Sequence, residues 1–109
     1  MNYIYKANVL NVVDGDTIDV SIDLGFGTFR SERLRLFGIN AWETKGCERE
    51  QGLIAKDYLT QLILDKNIVI QTFKDKKGKY GRYLAQIYLD ELDINADLII
   101  RGHATTYGG

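Results

Sequence analysis

The sequence predicts an α+β protein in which a small closed β-barrel of five strands carries one long and one short helix. Three observations lead there. Strand-like alternation fills the first third of the chain and returns after the middle. Between the two lies a stretch with the helical period of about 3.6 residues. The resulting order, three strands, a helix, two strands and a short helix, lacks the regular β-α alternation of a doubly wound parallel sheet.

Val9 to Val13 and Thr17 to Asp23 flank Asp14-Gly15, a dipeptide favoured in two-residue hairpin turns. In TIDVSID, Ile18, Val20 and Ile22 alternate with polar residues, so one face of this second strand is apolar. Phe29 to Ile39 continues as a third strand, entered through the turn Gly25 to Gly27. Leu34 and Leu36 then point into the core, and Arg33 and Arg35 lie on the opposite face. From Glu48 to Leu64 the period changes: Ile54, Tyr58 and Leu62 recur every fourth residue, as do Ala55, Leu59 and Ile63, which predicts an amphipathic helix. Asn67 to Phe73, rich in β-branched residues, and Tyr83 to Leu89 read as the fourth and fifth strands. Asp93 is placed to cap a short helix, Ile94 to Arg101, that stops at Gly102. Five short strands must hide their edges, and the oligonucleotide/oligosaccharide-binding barrel does so with this element count.

A chain of 109 residues supports one core, hence one domain over residues 1–109. With 45% apolar and 27% charged residues it has the composition of a folded protein. It contains no proline, so turns rest on Gly, Asp and Asn. No apolar run is long enough to span a bilayer, and MNYIYKANVL lacks the basic and apolar regions of a signal peptide, so the expected location is cytoplasmic and off the membrane. The single cysteine, Cys47, excludes an internal disulfide and a cysteine-rich zinc site. A net charge of −1 argues against a protein that coats nucleic acid, but the charge is unevenly spread. Residues 74–82, KDKKGKYGR, hold four lysines and one arginine against one aspartate, whereas 90–97, DELDINAD, are acidic. The basic stretch reads either as a solvated hairpin tip or as a surface for a phosphate-bearing ligand.

Asp14-Gly15-Asp16-Thr17 taken alone is a hairpin turn. It is no EF-hand loop, because the later oxygen ligands and the closing glutamate are missing. Asp16 can still supply one oxygen to a hard cation if other segments supply the rest, with Asn40 and Glu43 as the nearest candidates. Arg35 alone is a strand-surface charge, and Arg82 alone belongs to the basic loop. Two arginines beside a cation and a glutamate have a different meaning. Phosphodiester hydrolysis builds negative charge that guanidinium groups and a divalent cation both stabilise, and a carboxylate can orient or deprotonate the attacking water. His103 sits after a helix stop, where a capping or surface role is the simpler reading. Trp42 reads as a packing residue or as a base-stacking platform.

VVDGDT, RLRLFGINAWETK, KYGRYLAQIY and INADLIIRGHA occur in the order and approximate spacing of the staphylococcal nuclease (thermonuclease-like) family, which the chain resembles from about Val9 to Tyr107. The resemblance implies an OB-fold-like barrel and calcium-dependent cleavage of DNA and RNA, preferably single-stranded. By position, Arg35, Glu43 and Arg82 match the catalytic residues. Asp16 matches a calcium-binding aspartate, Asn40 falls at a second such position, and Ala41 falls where a backbone carbonyl is a ligand. Glu43 acts there through water, and Asp14 stands behind the metal ligands. Lys79, Tyr80 and Leu84 match the nucleotide pocket, and Tyr107 supplies an aromatic ring near the base. The implied reaction is attack of activated water on phosphorus, leaving a 3′-phosphate and a 5′-hydroxyl.

Three features depart from the family pattern. Asn40 removes one negative charge, which lowers the expected calcium affinity and opens the site to another divalent ion. Ala41-Trp42-Glu43 replaces the usual Thr-Pro-Glu. The chain also lacks the family's C-terminal third helix, which leaves barrel surface for a monomer to expose or a weak dimer to cover. The competing expectation is therefore a weak or inactive barrel that binds single-stranded nucleic acid or a protein partner.

Overall fold

In the computed structural model, which describes residues 3–74 and 83–107, five strands close into a barrel. They are β1 (Tyr3–Asp14), β2 (Thr17–Asp23), β3 (Phe29–Leu36), β5 (Asn67–Lys74) and β6 (Tyr83–Leu89). The order around the barrel is β3-β2-β1-β5-β6. A parallel pairing of β3 with β6, Leu34 against Tyr83 through Leu36 against Ala85, closes the ring. All other neighbours in the barrel are antiparallel. The expected α+β barrel with one long and one short helix is therefore the observed architecture.

β1 begins six residues before the predicted start. Lys6 through Asp14 pair with β2, while Tyr3 through Asn8 pair with β5. Lys6 to Asn8 pair along both edges, and the register shifts between Val9 and Asn11 and between Val12 and Asp14 bend the part of the strand beyond them, which pairs with β2 alone. Side-chain alternation then fills the interior: Val9, Ile18, Val20, Leu34, Ile70 and Ile87 are fully buried. Helix α1 (Arg49–Ile63) lays Gly52, Ala55, Leu59 and Ile63 against the core. Ile54, which the spacing assigns to the apolar stripe, is exposed instead, so the stripe is narrower than expected.

Helix α2 (Ile94–Ile100) buries Ile94 and Leu98. As expected, Asp93 caps it, its carboxylate accepting from the amide of Ala96 at 3.0 Å. At the other end Gly102 takes φ +78°, its amide donates to Ile99, and that of His103 donates to Leu98. This is the left-handed stop the glycine predicts. Buried Asn95 ties the helix to the barrel. Its amide donates to the carbonyls of Phe37 and Ala85, and its oxygen accepts from the amide of Ile87.

The third strand corrects the sequence reading. It ends at Leu36, because the chain turns at Phe37-Gly38, with Gly38 at φ +77°. Residues Ile39–Ala41 form a separate strand, β4, paired with β8 (Ala104–Thr106). A two-residue strand, β7 (Leu92–Asp93), pairs with β6 just before α2. No helix among the described residues is long and apolar enough to cross a membrane.

Candidate active site

The β1–β2 turn is set one residue later than predicted: Asp14 pairs with Thr17, and Gly15-Asp16 form the turn. Gly15 is needed for space. A Cβ there would lie 3.0 Å from the Cβ of Ala41 and 3.1 Å from that of Ala55, so glycine lets the turn press against both β4 and α1.

Asp16 is the hub of the site. It is buried; its carboxylate accepts from the amide of Ala41 at 3.0 Å, from Nη1 of Arg35 at 3.2 Å and from the Thr17 hydroxyl at 3.0 Å. Its own carbonyl accepts from the amide of Leu36. One carboxylate thus holds β2, β3 and β4 together. Buried polar groups must be paired in this way to be tolerated.

Arg33 and Arg35 share a strand face, as the alternation predicts, yet have different surroundings. Arg33 pairs with Asp19 across β2–β3, its Nε 2.8 Å from the carboxylate. The Asp19 carboxyl is held below the usual carboxylate range, first by the hydrogen bond from Arg33. Both side chains stand at the surface, where such pairs contribute little. Arg35, mostly buried, turns into the site. It donates to Asp16, to Oδ1 of Asn40 at 3.0 Å and to the carbonyl of Ile39 at 3.4 Å. The Tyr107 ring lies against its guanidinium, 5.7 Å from centroid to Cζ.

Asp14, Asp16, Arg35, Asn40, Trp42 and Glu43 line one concavity of about 410 Å³. A larger groove, about 480 Å³, lies at the far end of the β1–β2 hairpin around Lys6, Asn8 and Asp23, but it gathers no arginine. Of these two, the concavity around Arg35 is the one that sets an arginine beside carboxylates. Leu84 sits beside Arg35 on β6, and Tyr107 joins the site from the residue after β8, its amide donating to Gly38. Lys79, Tyr80 and Arg82, with most of the basic stretch 74–82, lie outside the described residues.

The segment carrying Glu43 is held at several points that the sequence reading missed. The amide of Glu43 donates to the carboxylate of Glu48, and the hydroxyl of Thr44 donates to Asp14, each at 3.0 Å. The indole of Trp42 donates to the carbonyl of Gly102 at 3.0 Å, so Trp42 ties this segment to the end of α2. Gly52 of α1 passes directly beneath it: a Cβ on Gly52 would overlap the Glu43 carbonyl. A glycine inside a helical pattern was the one signal in the sequence for such a close approach. His103 stacks on Tyr58, ring centroids 4.5 Å apart, and Cys47 is exposed.

The side-chain donors that the concavity offers a cation are all oxygens: the carboxylates of Asp14, Asp16 and Glu43, the hydroxyls of Thr17 and Thr44, and the Asn40 amide. That chemistry fits a hard divalent ion. The set is poor in charge, since Asn40 is neutral and Arg35 already pairs with Asp16. Among the described residues no three His, Cys, Asp or Glu side chains converge as a metal-binding group.

The family model described as "Staphylococcal nuclease homologue" matches residues 33–108. An uncharacterized protein of Methanocaldococcus jannaschii is 30% identical over 94% of this chain. Thermonucleases of Staphylococcus intermedius and Staphylococcus hyicus are each 29% identical over 88% of it. The chain spans 59% of the first relative and 56% of each thermonuclease, little more than half their lengths. With the match covering residues 33–108, well over half of the sequence, the chain belongs to the staphylococcal nuclease homologue family.

Proposed function

We propose that this chain is a metal-dependent phosphodiesterase, a nuclease that cleaves DNA and RNA strands by attack of activated water on phosphorus. The observation that carries the reading is the meeting of Asp16, Arg35 and Glu43 at one concavity in a chain of this family. Asp16, Asn40 and the Ala41 carbonyl would hold a divalent cation, calcium by resemblance, with Glu43 reaching it through water. Such a cation supplies positive charge to the phosphoryl oxygens when bound.

The chain's own groups do the rest. Arg35, partly buried and oriented by Asp16, presents a guanidinium to the non-bridging phosphoryl oxygens, where negative charge grows. Glu43, held through its backbone by Glu48, orients the attacking water or takes its proton. Arg82 is the second guanidinium of this reading, by resemblance. The products are a 3′-phosphate and a 5′-hydroxyl. Lys79, Tyr80, Leu84 and Tyr107 would line the nucleotide pocket.

The test is degradation of single-stranded DNA with calcium, magnesium, manganese or EDTA. Cleavage that needs a metal and falls with Glu43→Gln supports the proposal. If no metal supports cleavage, the reading is wrong. One observation favours a second reading, a binding module without catalysis: Arg35 is engaged by Asp16 and Asn40, which leaves a cation few free charges. Binding of single-stranded DNA without cleavage under any metal would select it.

A further inference from the structure

Glu43 sits in a stretch, Trp42 to Lys45, that belongs to no strand or helix. Its position therefore depends on ties to other elements, and the nearest of them in sequence is the indole of Trp42 on the carbonyl of Gly102. What fixes that carbonyl lies further off. A carbonyl and the amide after it share one planar peptide unit, and the amide of His103 donates to the carbonyl of Leu98 at 2.9 Å. Gly102 takes φ +78° and has no side chain to restrain the turn, so the flanking His103 ring supplies the restraint.

That ring stacks on Tyr58 of α1, with centroids 4.5 Å and planes 27° apart. Tyr58 is fixed in turn, its hydroxyl donating to buried Asp97 at 2.6 Å. Asp97 also accepts from Nε of Arg101 at 3.5 Å, which brings the contacts back to the turn that presents Gly102. The circuit therefore joins α1 and α2 at the one carbonyl that Trp42 grips. Its far end is Glu43, whose proposed role demands hydrogen-bond reach of a water.

We propose that Tyr58 and His103 are positioning residues for Glu43: their stack fixes the Gly102–His103 peptide, its carbonyl fixes Trp42, and Trp42 fixes the backbone of Glu43. This rests on the nuclease reading above and gives His103 a part in it without contact with substrate or cation.

Trp42 is the single tryptophan of the chain, so its fluorescence reports the tie whether or not the protein cleaves. His103→Ala removes the ring and should raise acrylamide quenching of Trp42 in protein that circular dichroism shows to be folded. On single-stranded DNA its kcat should fall roughly ten-fold with KM unchanged, since a misplaced general base loses rate and not binding. His103→Phe, which keeps a ring to stack, should restore both readouts. Should His103→Ala not fold, His103→Leu, which keeps apolar bulk without a planar ring, is read in the same way. Added to Trp42→Phe, the His103 substitution should cost little more, because the two act through one hydrogen bond. Unchanged quenching in the folded variant overturns the tie and leaves the nuclease reading in place. A loosened Trp42 with kcat intact, or additive losses in the double variant, overturns the positioning role. If the natural protein cleaves with no metal present or added, in any of the calcium, magnesium, manganese and EDTA arms, the nuclease reading falls and the positioning of a catalytic Glu43 falls with it.

Discussion

Gly52 and Glu43 meet backbone to backbone: the Cα of the helical glycine faces the carbonyl of the proposed catalytic glutamate with no space for a side chain. Two effects compete in Gly52→Ala. Alanine favours the helix by about 1 kcal/mol, but its methyl would overlap the Glu43 carbonyl and come within 2.7 Å of the Thr44 amide. Backbone cannot yield as a flexible side chain can, so overpacking wins, with a net loss of roughly 1–3 kcal/mol. Urea unfolding should show that loss, and cleavage should fall with it. A stabilised Gly52→Ala protein would contradict the contact.

That contact marks the boundary of what the sequence disclosed. Period-two alternation placed Leu34 and Leu36 inside and Arg35 outside, because strand geometry leaves no other choice. Asp93 and Gly102 bounded α2 through chemistry local to a few residues. The rest depended on distant partners. β8 is three residues long, and only its pairing with β4 makes either a strand. The run from Phe29 looked continuous through Ile39 because Gly38 reads equally well as strand or turn until Asn95 captures the carbonyl before it. Trp42 and Gly102 are 60 residues apart, and no pattern announces their hydrogen bond. The different surroundings of Arg33 and Arg35 likewise emerge only once Asp19 and Asp16 are seen on their separate sides.

Those two arginines make a paired prediction. Arg35→Gln should lower cleavage roughly 10²- to 10³-fold, the effect of removing one preorganised donor to a transition-state oxyanion. Arg33→Gln, which loses only its pairing with half-buried Asp19 at the barrel surface, should leave the rate unchanged. Its effect on folding is a small pH dependence. The Asp19 carboxyl is lowered in the folded protein, so the pair stabilises above the ordinary carboxylate pKa, and that contribution disappears as the pH falls through the lowered value. Equal loss of rate in both variants would reduce Arg35 to a strand charge.

Trp42 stands where the resemblance expects proline, and the structure offers a substitute for proline's rigidity in the indole hydrogen bond to Gly102. Trp42→Phe keeps the ring and removes the donor. Gly102 is exposed, so water can satisfy its carbonyl. The stability cost should therefore stay near 1 kcal/mol. The sharper effect should be on turnover, because a looser Glu43 loses orientation while phosphate binding at Arg35 persists. A fall in kcat with KM nearly constant is expected. The reverse pattern would make Trp42 a substrate-binding residue.

Tyr58 predicts an alkaline effect. Its hydroxyl donates to Asp97 at 2.6 Å, and that hydrogen bond, with desolvation and the nearby negative charge, raises the Tyr58 pKa above its ordinary value. A raised folded pKa means that the contribution is complete below about pH 10 and is lost as the pH climbs through the folded value. Tyr58→Phe should cost about 1–2 kcal/mol near neutrality, and its difference from the natural protein should shrink above pH 10. Denaturant melts at pH 7 and 10.5 make the comparison. A constant difference would remove the hydrogen bond as its source.

Asn40 sets the strength of the proposed cation site. Its Oδ1 accepts from Arg35 on the wall of the concavity that Asp16 and Glu43 also line. Asn40→Asp adds one charge without adding volume. Part of that charge is absorbed by the guanidinium it already touches, and the remainder acts on the cation. Calcium affinity should rise about ten-fold, worth ~1.4 kcal/mol, by calorimetry. Asp16→Ala should abolish it, since that variant removes the buried carboxylate from the donor set. Undiminished affinity in Asp16→Ala would take Asp16 off the ligand list, and with it the reason for expecting Asn40→Asp to help.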